Sequence, residues 1–155
     1  MYSLTRSNWV VQKLILRLNK DRRGVGVMRD ILAVTFKRVW IRETSAFPER
    51  WSPANPAYGQ CLATSWVAKQ YLGGQVIQAV FTDRPIVHFW NVLPSGEKYD
   101  FTDSQFQGEF IPWHNAHCEI LTSELFGTYC KIFPGVADRY GLFTKRFYER
   151  LPQLA

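Results

Sequence analysis

Nowhere in the chain do about 18 apolar residues follow one another, the least that a membrane-crossing helix needs. The sequence is therefore not expected to span a bilayer. Cysteines are scarce as well: there are three, at 61, 118 and 130. So few exclude a disulfide framework and suit a reducing compartment, so a cytoplasmic location is expected. A Cys118–Cys130 bridge is the alternative pairing and is not adopted. The first residues lack an unbroken apolar stretch with a small-residue cleavage site, so no secretory signal is expected. Arg, Lys and Ser without an acid before Asp21 leave an organellar transit peptide open. Acids remain rare further on. Residues 1–42 hold ten Lys/Arg and two Asp/Glu, a balance of +8, whereas residues 43–155 hold nine and eleven.

The basic excess thus belongs to one N-terminal segment. Such a segment could meet nucleic acid or an acidic surface. No recognised nucleic-acid motif accompanies it, so it is read as a solvated amphipathic helix and nucleic acid is not an expected partner. Hydrophobic content of 46% and aromatic content of 15% place the chain among globular rather than disordered proteins. At 155 residues one domain with a real core is expected.

Apolar residues at 9, 10, 11, 14, 15, 16 and 18 predict a helix over Asn8 to Asn19, followed by a Gly-bearing break, "KDRRGVG", over 20–26. Residues 1–26 are accordingly read as a basic helical extension and 27–155 as the main domain. A second helix is predicted over Met28 to Ile41. Residues 43–60 carry three prolines and read as a long loop, an uncommon feature that is often functional. A third helix is predicted over Cys61 to Leu72, stopped by Gly73-Gly74. Gln75–Phe81, Ile86–Leu93 and Glu97–Phe101 read as strands, the last two joined by "PSG". Residues 102–118 are irregular and aromatic, 119–133 are ambiguous between helix and strand, and Asp138 to Leu151 reads as a closing helix.

"NPAYGQCLATSW" puts Cys61 at the first turn of an apolar helix. Unpaired N–H groups and the macrodipole favour an anion there, and the thiolate is the nucleophilic form of cysteine. Such a nucleophile needs a base, usually His. His88 lies mid-strand in "PIVHFWNVL" and would be held firmly; a neutral core histidine is the alternative. Side chains alternate faces in the hairpin 86–93/97–101. With a three-residue loop Leu93 pairs with Glu97, and Asp100 falls diagonal to His88 on the same face. With a loop of two or four residues Asp103 falls opposite His88 instead. Asn91 is disfavoured by the pleat. The Cys61 backbone N–H is placed to bind an oxyanion, and Asn55 and Gln60 are candidate side-chain donors; Gln60 could equally brace the loop. Trp51 is a candidate to line a groove leading to Cys61, and Trp90 to pack beside the His–Asp pair, with plain core packing as the alternative for both.

"HNAHC" offers His114, His117 and Cys118 at a spacing that converges if helical. A zinc site would want a further ligand or water and a partner motif, and none exists. The segment is read as a surface loop, and no metal or cofactor is expected. Cys130 is read as a buried apolar thiol.

"WSPANPAYGQCLATS", the run "HFWNVLPSGEKYDFTDSQF" and "RYGLFTKRF" together resemble the YunG-like family of small proteins, within the papain-like cysteine-protease superfamily. The order of Cys on a helix, His on a strand and Asp-x-Thr on the next is similar to the transglutaminase-like core. The likeness spans about residues 30–150. It implies an α+β, papain-like fold with the nucleophile helix packed on an antiparallel sheet. It also implies Cys61 as nucleophile, His88 as base and Asp100, from Asp-x-Thr, as the group that orients the imidazole. Asn55 stands six positions before Cys61, the offset of the papain-type oxyanion side chain, where that type has glutamine. The expected activity is a cysteine hydrolase or acyltransferase acting on a peptide, protein or small amide. The alternative is a non-catalytic interaction module whose basic N-terminal segment docks a partner. Fold alone does not decide between them.

Overall fold

Met28, Leu32, Phe36 and Val39 fall on one stripe of a helix, and in the computed structural model, which describes residues 22–152, all four are buried. They belong to α1 (Arg22–Val39). The break predicted over 20–26 is corrected: the chain is already helical at Arg22 and stays so through Gly24 and Gly26. A helical glycine costs about 1 kcal/mol relative to alanine. Here Gly24 is buried and Val25 packs on the core, so tertiary contact holds the first turns. The boundary expected between 26 and 27 therefore falls inside α1. The helix expected over Asn8 to Asn19 lies outside the described residues.

After α1 come α2 (Cys61–Leu72), β1 (Gln75–Val80), β2 (Val87–Val92), β3 (Lys98–Tyr99), β4 (His117–Ile120), α3 (Ser123–Ile132) and α4 (Val136–Arg150). Short 3-10 turns lie at Arg42–Thr44, Asp103–Phe106 and Trp113–Asn115. The strands form one antiparallel sheet in the order β3-β2-β1-β4. The described chain is thus mixed α+β. The ambiguous stretch 119–133 divides in two: the end of β4, then α3, whose start is capped by Thr122 accepting a hydrogen bond from Leu125 N–H.

Two apolar clusters meet around α2. One unites α1, α2 and α4 and holds Phe36, Phe143 and Phe147, all fully buried and each contributing about 1.5–3 kcal/mol. The other brings Cys61 together with Val76, Phe89, Leu121 and Phe126. Arg146 of α4 donates to the carbonyls of Val39 (3.0 Å) and Arg38 (3.3 Å), satisfying acceptors that the end of α1 leaves open.

Polar contacts fix the rotation of α2, and hence where Cys61 points. Ser65 Oγ donates to Phe89 O (3.2 Å), Asn91 Nδ2 donates to Ser65 O (2.9 Å), and Trp40 Nε1 donates to Thr64 Oγ1 (3.0 Å). Behind α2, Gly74 has φ +72°, and a Cβ there would come within 3.0 Å of the Leu93 backbone. Only glycine lets α2 turn back this closely onto the hairpin.

Candidate active site

The loop before α2 is tied to itself by backbone and by one hydroxyl. Ser45 is fully buried; its Oγ donates to Tyr58 O (2.7 Å) and accepts from Phe47 N–H (3.0 Å). Ala46 N–H donates to Gly59 O (2.9 Å). Gly59 has φ +72°, and a Cβ there would lie 2.9 Å from Ala46 N, so the chain passes Ser45 only as glycine. Gln60 follows, fully buried, with Nε2 donating to Ile41 O (2.9 Å) and Oε1 unpartnered. Its amide braces the loop rather than facing outward. The next residue is Cys61, first in α2, with 8% of its surface exposed.

Opposite stands His88 on β2, which pairs on one side with β1 and on the other with β3. Asn91 pairs with Tyr99 and Val92 with Lys98, and Leu93 N–H donates to Glu97 O (2.9 Å) around the turn 94–96. This is the register of a three-residue loop. It carries Asp100 to the imidazole: Asp100 Oδ2 lies 2.6 Å from His88 Nε2. The other carboxylate oxygen accepts from Thr102 N–H (2.9 Å) and Thr102 Oγ1 (3.1 Å). Asp103 is exposed in the following 3-10 turn, away from this contact.

The Cys61 thiol is electrostatically coupled to His88. Asp100 occupies Nε2, so Nδ1 is the ring nitrogen open to other partners. Burial alone would push the imidazolium down, because charge is poorly solvated there. The hydrogen bond to Asp100 and the coupling to Cys61 outweigh it and hold His88 up at about 9.

Rings wall the imidazole in. Trp113 stacks on it at 5.1 Å and 25°, Phe106 meets it edge-on at 4.9 Å, and Trp90 lies 6.0 Å away. His88 is 1% exposed in consequence. Lys98 Nζ sits over Trp90 (4.0 Å) and Trp113 (5.6 Å), a cation on the rim of the aromatic cluster.

A family model described as YunG protein matches residues 29–151. The chain belongs to the YunG family. No curated protein and no solved structure matches it. The span matched to YunG contains the whole cluster from Cys61 to Trp113.

Within this YunG-family chain the remaining candidates fall elsewhere or take other partners. Asn55 Nδ2 donates to Gln105 O (2.9 Å), joining the loop before α2 to the turn after β3. Trp51 donates its indole N–H to Pro56 O (3.0 Å) and pins the same loop. Residues 117–120 are strand, so the helical convergence considered for His114, His117 and Cys118 does not form, and all three are exposed. Among the described residues no three His, Cys, Asp or Glu side chains gather as a metal site. All three cysteines are free. Cys130, expected to be buried, is only partly so; what burial it has pushes the thiol up. A cavity of about 40 Å³ lies beside the start of α2, lined by Leu62, Ala63, Phe126 and Arg139 among others; neither Cys61 nor His88 borders it.

Three residues at the site escape sequence reasoning about chemistry: Gln105, Phe106 and Trp113. Gln105 Nε2 lies 3.2 Å from His88 Nδ1. Its signal is its place after Asp-x-Thr, in the run Asp100 to Phe106. The two rings come from a stretch without periodicity and carry no local signal.

Proposed function

We propose that this protein is a cytoplasmic cysteine hydrolase or acyltransferase on a papain-like, transglutaminase-core-like architecture, acting on an amide, isopeptide or thioester bond. One observation carries the reading: a buried imidazole bonded to a carboxylate that is itself fixed by two hydrogen bonds, with the thiol that opens α2 electrostatically coupled to the same ring. This is the nucleophile–base–orienter arrangement of thiol acyl transfer.

Cys61 Sγ attacks the carbonyl carbon; the C–S bond forms as the π pair moves to oxygen. The Cys61 backbone N–H faces the developing oxyanion, with Asn55 as the side-chain donor through the N–H not given to Gln105 O. His88 holds the thiol proton and delivers it to the departing nitrogen or sulfur. The bond to the leaving group breaks and a thioester remains. Water then loses a proton to His88 and adds to the thioester, the C–S bond breaks, and the proton returns to Cys61. An amine in place of water makes the reaction a transfer. Asp100 keeps the imidazole oriented and balances its charge throughout.

Iodoacetamide labelling from pH 5 to 10, read site by site by mass spectrometry, tests this. Cys61 is expected to label faster than exposed Cys118 near neutral pH, despite its burial. The enzyme reading fails if Cys61 labels no faster than Cys118 and Cys130 and accelerates only near pH 8–9, as an ordinary thiol does.

The second reading is a non-catalytic interaction module on the same fold, with the basic N-terminal segment docking a partner. The near-complete enclosure of His88 by Trp113, Phe106 and Trp90 favours it. Slow, ordinary labelling of Cys61 is its expected result.

A further inference from the structure

We propose that Gln105 is a positioning residue for His88: its side-chain amide stabilises the neutral imidazole with Nδ1 bare, opposing Asp100 and limiting how far the site favours the imidazolium. The inference rests on the Cys–His–Asp reading above and adds a fourth polar member to it.

The protons decide the argument. An ionised carboxylate only accepts, so the His88 nitrogen 2.6 Å from Asp100, Nε2, carries hydrogen. A neutral imidazole then has Nδ1 as its one acceptor. Gln105 Nε2 lies 3.2 Å from that atom. The orientation of the amide is set independently: the same Nε2 is 3.1 Å from Thr102 O, which only accepts, so the flipped amide would oppose oxygen to oxygen. A charged imidazole carries N–H at both nitrogens, and its Nδ1–H would point at the Gln105 N–H. The amide therefore tells the two charge states apart and supports the neutral one. Asp100 supports the charged one.

Both groups hang on one residue. Thr102 donates to Asp100 Oδ1 through N–H and Oγ1, and its carbonyl accepts from Gln105 N–H (3.0 Å) and Gln105 Nε2. Asn55 holds the same turn from the far side through Gln105 O. The charged or titratable groups facing His88 are Cys61 from α2, Asp100 after β3, and Lys98 over the Trp90 and Trp113 rings. Gln105 is the amide donor among the groups around Nδ1, and so the one that competes with the Cys61 proton for that lone pair.

Long-range ¹H–¹⁵N NMR of the His88 ring from pH 5 to 10, in the wild type, Gln105→Met and Gln105→Glu, tests the proposal. In the wild type the neutral ring is expected as the Nε2–H tautomer. Gln105→Met keeps the length and removes the donor; the His88 midpoint should rise by about half to one pH unit, the worth of one neutral hydrogen bond. Gln105→Glu should raise it further, because a carboxylate accepts from Nδ1–H. The pH profile of Cys61 alkylation should move by the same amount. A midpoint unmoved in both variants, with only the melting temperature lowered, would make Gln105 a brace of the turn and overturn the proposal. So would a wild-type neutral ring protonated on Nδ1, a result that needs no variant to fold. Ordinary, slow alkylation of wild-type Cys61 would sink the hydrolase reading instead, and leave the Gln105 question to the His88 midpoints.

Discussion

His88 is asked to be two things at once, a core side chain and a proton carrier. Burial works against its charge, and Asp100, bonded at Nε2, together with the coupled Cys61 outweighs it. Removing the carboxylate charge should reverse the balance. In Asp100→Asn the proton is expected to leave His88 at least one pH unit lower, and Cys61 alkylation at pH 7 to slow by about tenfold or more. Asp103→Asn should change neither, since Asp103 is exposed and off the imidazole. Ring NMR and site-resolved labelling of both variants check this. If the two variants behave alike, Asp100 is not the orienting group.

Among the elements, the start of α2 is set by what precedes it rather than by a capping side chain: Gln60 makes no cap hydrogen bond and reaches back to Ile41 instead. Gly59 is the tight point of that approach. In Gly59→Ala a Cβ meets the Ser45 hydroxyl and the Ala46 nitrogen at a left-handed φ. A loss of about 2–4 kcal/mol is expected, with Cys61 alkylation slowed as the first turn of α2 shifts. Thermal unfolding and labelling of the same variant read both effects; a full-stability, full-reactivity Gly59→Ala would mean the loop is free to move aside. The β2–β3 hairpin behaves differently. Alternation brought Asp100 or Asp103 to His88 depending on loop length, and the residues alone did not choose; the three-residue turn of the structure selects Asp100. The other neighbours of the imidazole were not readable either. Thr102 holds Gln105 locally, but Asn55, fifty positions earlier, also ties it down, and Trp113 is held by rings from β2 and from the turn after β3. The beginning of α1 was misplaced for a related reason: two glycines and a basic run read as a break, while burial of Gly24 and packing of Val25 keep the helix going.

For the molecule as a whole, a histidine raised in the native state links folding to pH. In the unfolded chain its proton is lost near 6.5, and in the folded chain at about 9. Below about pH 6.5 both states hold the proton and the full contribution is present. As pH rises from 6.5 to 9 the unfolded state sheds it first, and stability should fall by about 3 kcal/mol from this group. Urea unfolding at pH 6, 7.5 and 9 measures the slope. Asp100→Asn should flatten most of it, and a slope that survives in that variant would place its origin elsewhere. The amino-acid sequence by itself determined the helix stripes, the thiol at the start of α2 and the imidazole in a strand, because each depends on neighbours within a turn or a short loop. Only the tertiary structure decided which rings enclose His88, that Gln60 and Asn55 serve the loops around Cys61, and that an amide competes for the second imidazole nitrogen. Those placements follow from contacts between segments tens of residues apart, whose approach is set by the packing of α2 on the sheet and not by any local preference.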